Sequence, residues 1–135
     1  MKNQDVVTLR TVMSESKTAG IFSPEEDVDW TVLYRELKAE GEKIVETLKE
    51  FQEKNKLQWK ENGQLDIEKT GKENWMKYLE LERTFLNRDS KVEVKKFLSE
   101  KQIYGLKDKN DYTTEFVDFL LKSLVQKSEP VPSPR

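Results

Sequence analysis

The stretch that decides the fold runs from Ser23 to Asn55 and reads SPEEDVDWTVLYRELKAEGEKIVETLKEFQEKN. Ser23 can accept hydrogen bonds from the first free backbone N–H groups of a helix, and Pro24 suits the first helical position. Glu26, three residues after Ser23, completes a capping box. Because no proline follows before Asn55, the pattern predicts one helix of about 45 Å.

Large side chains repeat along this helix with the alternating three- and four-residue spacing of a heptad seam. The seam consists of Tyr34, Leu37, Ile44, Leu48 and Phe51. Gly41 occupies the slot where another large residue would sit. A helix with one apolar stripe has to bury that stripe, so we expect these side chains to form a protein–protein interface.

A second apolar stripe, from Lys72 to Asn87, predicts a partner helix for the first. Its large residues are Trp75, Tyr78, Leu79, Phe85 and Leu86. A short connection between two helices favours antiparallel packing, so the two stretches predict a long antiparallel helical hairpin.

The connection between these helices predicts a β-hairpin over residues 57–67. Asn62-Gly63 favours a tight type I′ turn, and apolar residues alternate on both sides of it. Val92-Glu93-Val94 predicts a short strand that adds to this element. Trp59 is expected either to cover the end of the helix pair or to serve as an interaction hot spot.

The two ends of the chain are less regular. Residues 3–16 fit either a helix face or a strand alternation, and we favour a short helix that begins at Asn3 or Asp5. A polar loop is expected over 105–112, followed by a packed C-terminal helix from Thr113 or Thr114 to about Gln126. Prolines in 128–135 indicate an extended tail. The resulting fold class is α+β, mainly α, with one domain over 1–127.

The composition excludes several classes of catalytic mechanism. The 135 residues include no histidine and no cysteine, which removes imidazole bases, thiol nucleophiles and disulfides. We therefore expect no enzyme, no metal and no cofactor. Without an apolar run of about 18 residues or a signal-like start, we expect a cytoplasmic protein that is not embedded in a membrane.

Basic residues collect around the predicted strand, where they could contact nucleic acid or an acidic partner. The candidate patch consists of Arg88, Lys91, Lys95, Lys96, Lys101 and Tyr104. Basic side chains with an aromatic among them can follow a phosphate backbone. Acidic neighbours dilute the patch, and its cations are mostly lysines, so nucleic-acid binding is the less favoured interpretation.

The order of these elements resembles that of short phage- and prophage-encoded proteins grouped as a domain family of unknown function. In those proteins a second helix with an ending like Phe85-Leu86-Asn87 also leads into a strand like Val92-Glu93-Val94. The Pro-rich tail and Ser90-Lys91-Val92 depart from the pattern. The resemblance implies a viral accessory or assembly protein, located in the host cytoplasm or the virion, and supplies no catalytic residues.

Together these features predict a non-enzymatic protein-interaction protein with a structural or assembly role in a phage, self-associating as a homo-oligomer or within a larger assembly. One alternative is a phage-encoded inhibitor of a host enzyme or defence factor. Another is a nucleic-acid accessory protein.

Overall fold

The long helix predicted from the capping signal is confirmed. In the computed structural model, which describes residues 1–126, helix α2 spans Pro24–Lys54. The Ser23 N–H donates to the Glu26 carboxylate at 2.8 Å, and the Glu26 N–H donates to the Ser23 hydroxyl at 3.3 Å. The bond from the Ser23 backbone lowers the pKa of Glu26, and a bond from the Gln102 side chain lowers it further.

Helices account for all the regular structure of residues 1–126. Besides α2 these are α1 (Asn3–Glu15), α3 (Ile67–Thr70), α4 (Lys72–Leu86), α5 (Glu100–Lys109) and α6 (Thr114–Leu124). None of them combines the length and the apolar composition needed to cross a bilayer. The N-terminal helix, α4 and the capped C-terminal helix confirm the sequence pattern. The proline-rich tail predicted at 128–135 lies outside the described residues.

The α+β fold class is wrong, because the described part of the chain is all-α. Residues 57–67 form no strands and retain a single isolated bridge, between Trp59 and Leu65. The flanking residues are used by helices: Leu57 belongs to the cap that ends α2, and Ile67 begins α3. Too few residues remain for a ladder, and a two-stranded hairpin is marginal even at full length.

The strand predicted at Val92-Glu93-Val94 is also absent. The Val92 N–H donates to the Ser90 hydroxyl at 3.2 Å, so a local turn uses the group that a strand neighbour would need. The Val92 side chain is buried nevertheless. Its apolar character therefore reflects burial of an irregular segment rather than a sheet.

Helix α5 occupies much of the region that the sequence pattern assigns to a polar loop. A capping box starts it: Ser99 and Gln102 exchange bonds in the same way as Ser23 and Glu26. Gly105 does not interrupt the helix, and a Cβ placed there would contact the Ile21 side chain at 3.8 Å. The helix ends at Lys109, and its C-cap residue Asn110 donates a backbone N–H to the Leu106 carbonyl.

The chain divides into two compact units, and the continuous helices α1 and α2 contribute residues to both. Unit 1 comprises residues 1–11 and 36–92. Unit 2 comprises 12–35 and the chain from 93 onward.

The core of unit 1 is formed by α1, the C-terminal part of α2, α4 and the segments that follow α2 and α4. Its buried side chains are Val6, Leu9, Leu37, Ile44, Leu57, Tyr78 and Val92. Gly41 allows the close approach of α1 and α2, because a Cβ there would lie 3.0 Å from the Arg10 Cδ. The Arg10 guanidinium lies 3.9 Å from the Glu42 carboxylate, beside this crossing. The slot for a large seam residue is thus filled by an arginine from α1.

The start of the chain is fastened to the end of α4. Asn3 is buried; its backbone N–H donates to the Arg88 carbonyl and its side-chain amide to the Phe85 carbonyl, both at 2.9 Å. The Ser90 backbone N–H and hydroxyl both donate to the Met1 carbonyl at 2.7 Å. These bonds explain why a short helix with weak amphipathicity is held in place.

The C-terminal part of α2 contacts α4 through rings and a polar network. The rings of Phe51 and Phe85 meet edge to face with centroids 5.6 Å apart. The buried Tyr78 hydroxyl donates to the Glu82 carboxylate at 2.6 Å and accepts from the Gln52 amide at 3.2 Å. Burial raises the pKa of Tyr78 above its ordinary value of 10, and Glu82 adds to that increase although the Gln52 bond opposes it.

The raised pKa of Tyr78 predicts a loss of stability in alkali. A folded state that raises the pKa favours the protonated phenol, so its stabilisation is complete below pH 10 and is lost as the pH rises through the raised pKa. We expect the melting temperature of the wild type to fall more steeply above pH 10 than that of Tyr78→Phe, which has no phenol to ionise. Thermal unfolding of both proteins at pH 8 and above pH 10 measures this, and parallel declines would contradict it.

Unit 2 gathers α5 and α6 with the first turns of α2. Its core side chains are Met13, Trp30, Leu33, Leu98, Ile103, Leu106, Val117, Leu120 and Leu124. The Leu98 and Phe97 N–H groups both donate to the Leu124 carbonyl at 3.0 Å, which ties the end of α6 to the segment before α5. The Asn110 side chain bonds in both directions with the Lys17 backbone.

Candidate interaction surface

The heptad seam proposed as a protein–protein interface is largely internal. Leu37 is 0% exposed and Ile44 is 2% exposed, both within unit 1. Tyr34, Leu48 and Phe51 are half-buried. Because the chain itself covers Leu37 and Ile44, a partner cannot reach these two side chains in this conformation.

Trp59 is different, because half of this large side chain, 51%, is exposed. It lies in the segment from Lys56 to Gly71, which we call the Trp59 segment. Monomeric proteins expose single apolar residues routinely. The question is therefore whether the backbone holds the indole in a fixed place.

The Trp59 segment begins with a tight stop of α2. Lys56 adopts a positive φ of 55°. Its N–H donates to the Glu53 carbonyl and the Leu57 N–H to the Gln52 carbonyl, both at 3.0 Å. This pair of bonds is the Schellman motif, which usually has glycine at the position of Lys56. The motif turns the chain so that Leu57 is buried and Trp59 follows at the surface.

Two backbone hydrogen bonds fix the turn after Trp59. The Lys60 N–H donates to the Gln64 carbonyl at 2.7 Å, and the Gly63 N–H donates back to the Lys60 carbonyl at 2.9 Å. Only Gly63 has a positive φ here, at 84°. A turn followed by one left-handed glycine is the three-residue type of hairpin loop, whereas type I′ would also need a positive φ at Asn62.

A buried threonine locks the other side of the segment. Thr70 is 2% exposed, and its hydroxyl accepts from the Gln58 N–H at 2.8 Å. The Gln58 carbonyl accepts the Asp66 N–H at 2.8 Å, and the Asp66 carboxylate caps α3 by accepting from the Lys69 N–H. Trp59 therefore stands between two hydrogen-bonded positions, Gln58 and Lys60.

This arrangement presents apolar side chains on a hydrogen-bonded backbone. Ile67, in the same segment, is also about half exposed, while Leu65 is half-buried. An aromatic anchor on a fixed backbone loses little conformational entropy when it enters a partner's pocket.

A pair of hydroxyl groups in unit 2 is not activated for catalysis. Ser16 and Tyr112 share a short hydrogen bond. Burial raises the pKa of Tyr112, although the Ser16 bond opposes this. A phenol with a raised pKa is a poor base at neutral pH, so Ser16 gains no nucleophilic character from it. Within residues 1–126, no three acidic side chains are grouped closely enough to hold a metal ion.

The predicted basic patch is distributed over the two units. Arg88 and Lys91 belong to unit 1, and the remaining members, Lys95, Lys96, Lys101 and Tyr104, belong to unit 2. All six side chains are exposed. Tyr104 extends from α5.

Sequence reasoning identified Trp59 but missed what fixes it. Thr70 carries no local signal for this role, because its pairing with Gln58 spans twelve residues of sequence. Asp66 carried a usable signal, because an acid ahead of a short polar run is a common helix cap. Lys56 carried none, since a left-handed lysine has no sequence signature.

Comparison with protein-family models finds no match for this chain, and comparisons with curated proteins and with solved structures find none either.

Proposed function

We propose that this chain is a non-enzymatic protein-interaction protein and that the Trp59 segment is its binding surface. The observation that carries the proposal is the half-exposed indole of Trp59, held between backbone bonds at Gln58 and Lys60. Tryptophan is the residue type most enriched among interface hot spots. A flexible loop loses conformational entropy when it binds, whereas the backbone of this segment is already ordered in the fold.

Composition supports binding over catalysis. The chain has no histidine and no cysteine, so the commonest general base and the most nucleophilic side chain are both missing. Lysine and acidic residues are abundant, but they lie mostly on exposed helix faces, where they keep the protein soluble.

The resemblance to phage-encoded proteins suggests the setting: an assembly or accessory protein of a phage, with an inhibitor of a host enzyme or defence factor as the alternative. Both roles use a protein surface, and they differ in the partner. A structural phage protein as partner favours assembly, and a host enzyme favours inhibition.

The test compares partner capture by the wild type and by Trp59→Ala. Purified tagged chain is incubated with lysate of phage-producing cells, and bound proteins are identified by mass spectrometry. Loss of a hot-spot tryptophan costs at least about 2 kcal/mol of binding free energy, so we expect any specific partner to be retained about thirtyfold less tightly. Titration of the purified partner then measures this ratio.

Glu80→Ala is the matched control, because Glu80 is exposed on α4, outside the Trp59 segment, and should leave binding unchanged. Far-UV circular dichroism verifies that both variants keep their helices. Equal retention of every specific partner by the wild type and Trp59→Ala would refute the assignment of this surface.

A further inference from the structure

The first turns of α2 carry an apolar pair on the side that faces away from the core. Val28 is 61% exposed and Val32 is 48% exposed. They lie four residues apart, on one helix face, opposite the buried Trp30 and Leu33. All four residues belong to unit 2. At exposed positions β-branched residues have lower helix propensity than polar helix formers, so helix stability does not explain these two valines.

Two opposite charges flank this pair on the same face. Glu25 lies three residues before Val28, and Arg35 lies three residues after Val32, and both are exposed. At 1.5 Å per residue they stand about 15 Å apart along the axis, too far to pair with each other. Within residues 1–126 the ion pairs are Arg10–Glu42 and Lys77–Glu73, so neither Glu25 nor Arg35 forms an ion pair with a described residue.

The order acid, valine, valine, base is complementary to itself when reversed. Trp30 is the midpoint both of Val28 and Val32 and of Glu25 and Arg35. A two-fold axis at the level of Trp30 therefore places each Val28 against Val32 of a second copy and each Glu25 against Arg35 of that copy. Self-complementarity of this kind is what a two-fold symmetric interface requires.

We propose that this face, formed by Glu25, Val28, Val32 and Arg35, is a homodimer interface in which two α2 helices pack antiparallel. The valines supply the dry centre, and the two Glu–Arg pairs at the rim fix the direction and register. The contact is small, so the dimer dissociates readily and its population depends on concentration. The proposal does not depend on the Trp59 segment, which belongs to unit 1.

Sedimentation velocity of the full chain, from low micromolar to millimolar concentration, tests the proposal through charge reversal. Glu25→Arg and Arg35→Glu each place like charges at both rim contacts, so we expect each alone to raise the dimer dissociation constant about tenfold or more. Val32→Asp should do the same by placing charge in the centre.

Mixing the two reversed proteins is the decisive experiment. One protein then has two bases at the rim and the other two acids, so every contact in the mixed dimer pairs opposite charges. We expect the mixture to associate more tightly than either protein alone, and the double variant E25R/R35E to dimerise like the wild type. Asp27→Arg is the matched control, because it reverses a charge in the same first turn off this face.

Three results would overturn the proposal: a wild type that stays monomeric at millimolar concentration, reversed proteins that dimerise as tightly as the wild type, or a mixture that gains nothing. Reversed proteins that still dimerise would indicate that the dimer forms through another surface. A wild type that stays monomeric would indicate that this face binds a different protein. Trp59→Ala should dimerise normally, which separates this interface from the proposed binding surface.

Discussion

Leu37→Ala should lower the free energy of unfolding by about 2 to 5 kcal/mol, the range for a buried leucine whose removal leaves a cavity. Leu37 is fully buried, on the same stripe of α2 as the buried Ile44. Domains of this size are stable by about 5 to 15 kcal/mol, so the variant should lose a large share of its stability. Urea unfolding followed by far-UV circular dichroism measures the change.

The same variant distinguishes a core seam from an oligomer interface. If Leu37 is buried within its own chain, the loss should be the same at low and high protein concentration, because no association step is involved. Val45→Ala is the control, since Val45 lies on the same helix but is exposed, and should change stability by no more than about 0.5 kcal/mol. A loss that disappears at high protein concentration would indicate that a second copy of the chain, and not the same chain, buries Leu37.

The seam shows which structural features heptad spacing can predict and which it cannot. Spacing correctly indicated which face of α2 is apolar, because Leu37 and Ile44 are both buried. It could not indicate whether the covering residues come from the same chain or from another. That information lies in distant contacts, such as Arg10 over Gly41, which local periodicity does not contain.

Helix ends were predictable where side chains cap them locally. Ser23 with Glu26 and Thr113 ahead of α6 are signals within a few residues, and both caps form. The pair of Ser99 and Gln102 carries the same signal, but the glycine and the polar residues after it favoured a loop. Helix propensity is a weak prior, and the capping box at Ser99 together with the burial of Ile103 and Leu106 outweighs it here.

The β-hairpin predicted over residues 57–67 is wrong for a different reason. Asn62-Gly63 does mark a turn, but a turn signal does not specify how many flanking residues pair. The caps of α2 and α3 use Leu57 and Asp66, so the pairing of the two stretches is limited to the bonds of Gln58 with Asp66 and of Lys60 with Gln64.

Thr70→Val should lower the free energy of unfolding by about 1 to 3 kcal/mol, although the two side chains have nearly the same shape. Thr70 is buried, and its hydroxyl is the hydrogen-bond acceptor for the Gln58 N–H. Replacing one partner of such a bond leaves the other partner unsatisfied, which costs more than the bond itself contributes. Urea unfolding measures the loss, and Thr84→Val is the matched control, because Thr84 is exposed in α4.

The effect of Thr70→Val should be local as well as global, and this links stability to binding. Amide hydrogen exchange should become faster at Gln58 and at Asp66, whose N–H donates to the Gln58 carbonyl. Trp59 follows Gln58 directly, so its backbone loses one of its two fixed neighbours. We therefore expect Thr70→Val to weaken partner binding less than Trp59→Ala does but more than Glu80→Ala. Unchanged exchange at Gln58 would show that Thr70 does not hold the segment, and the rigid presentation of Trp59 would need another source.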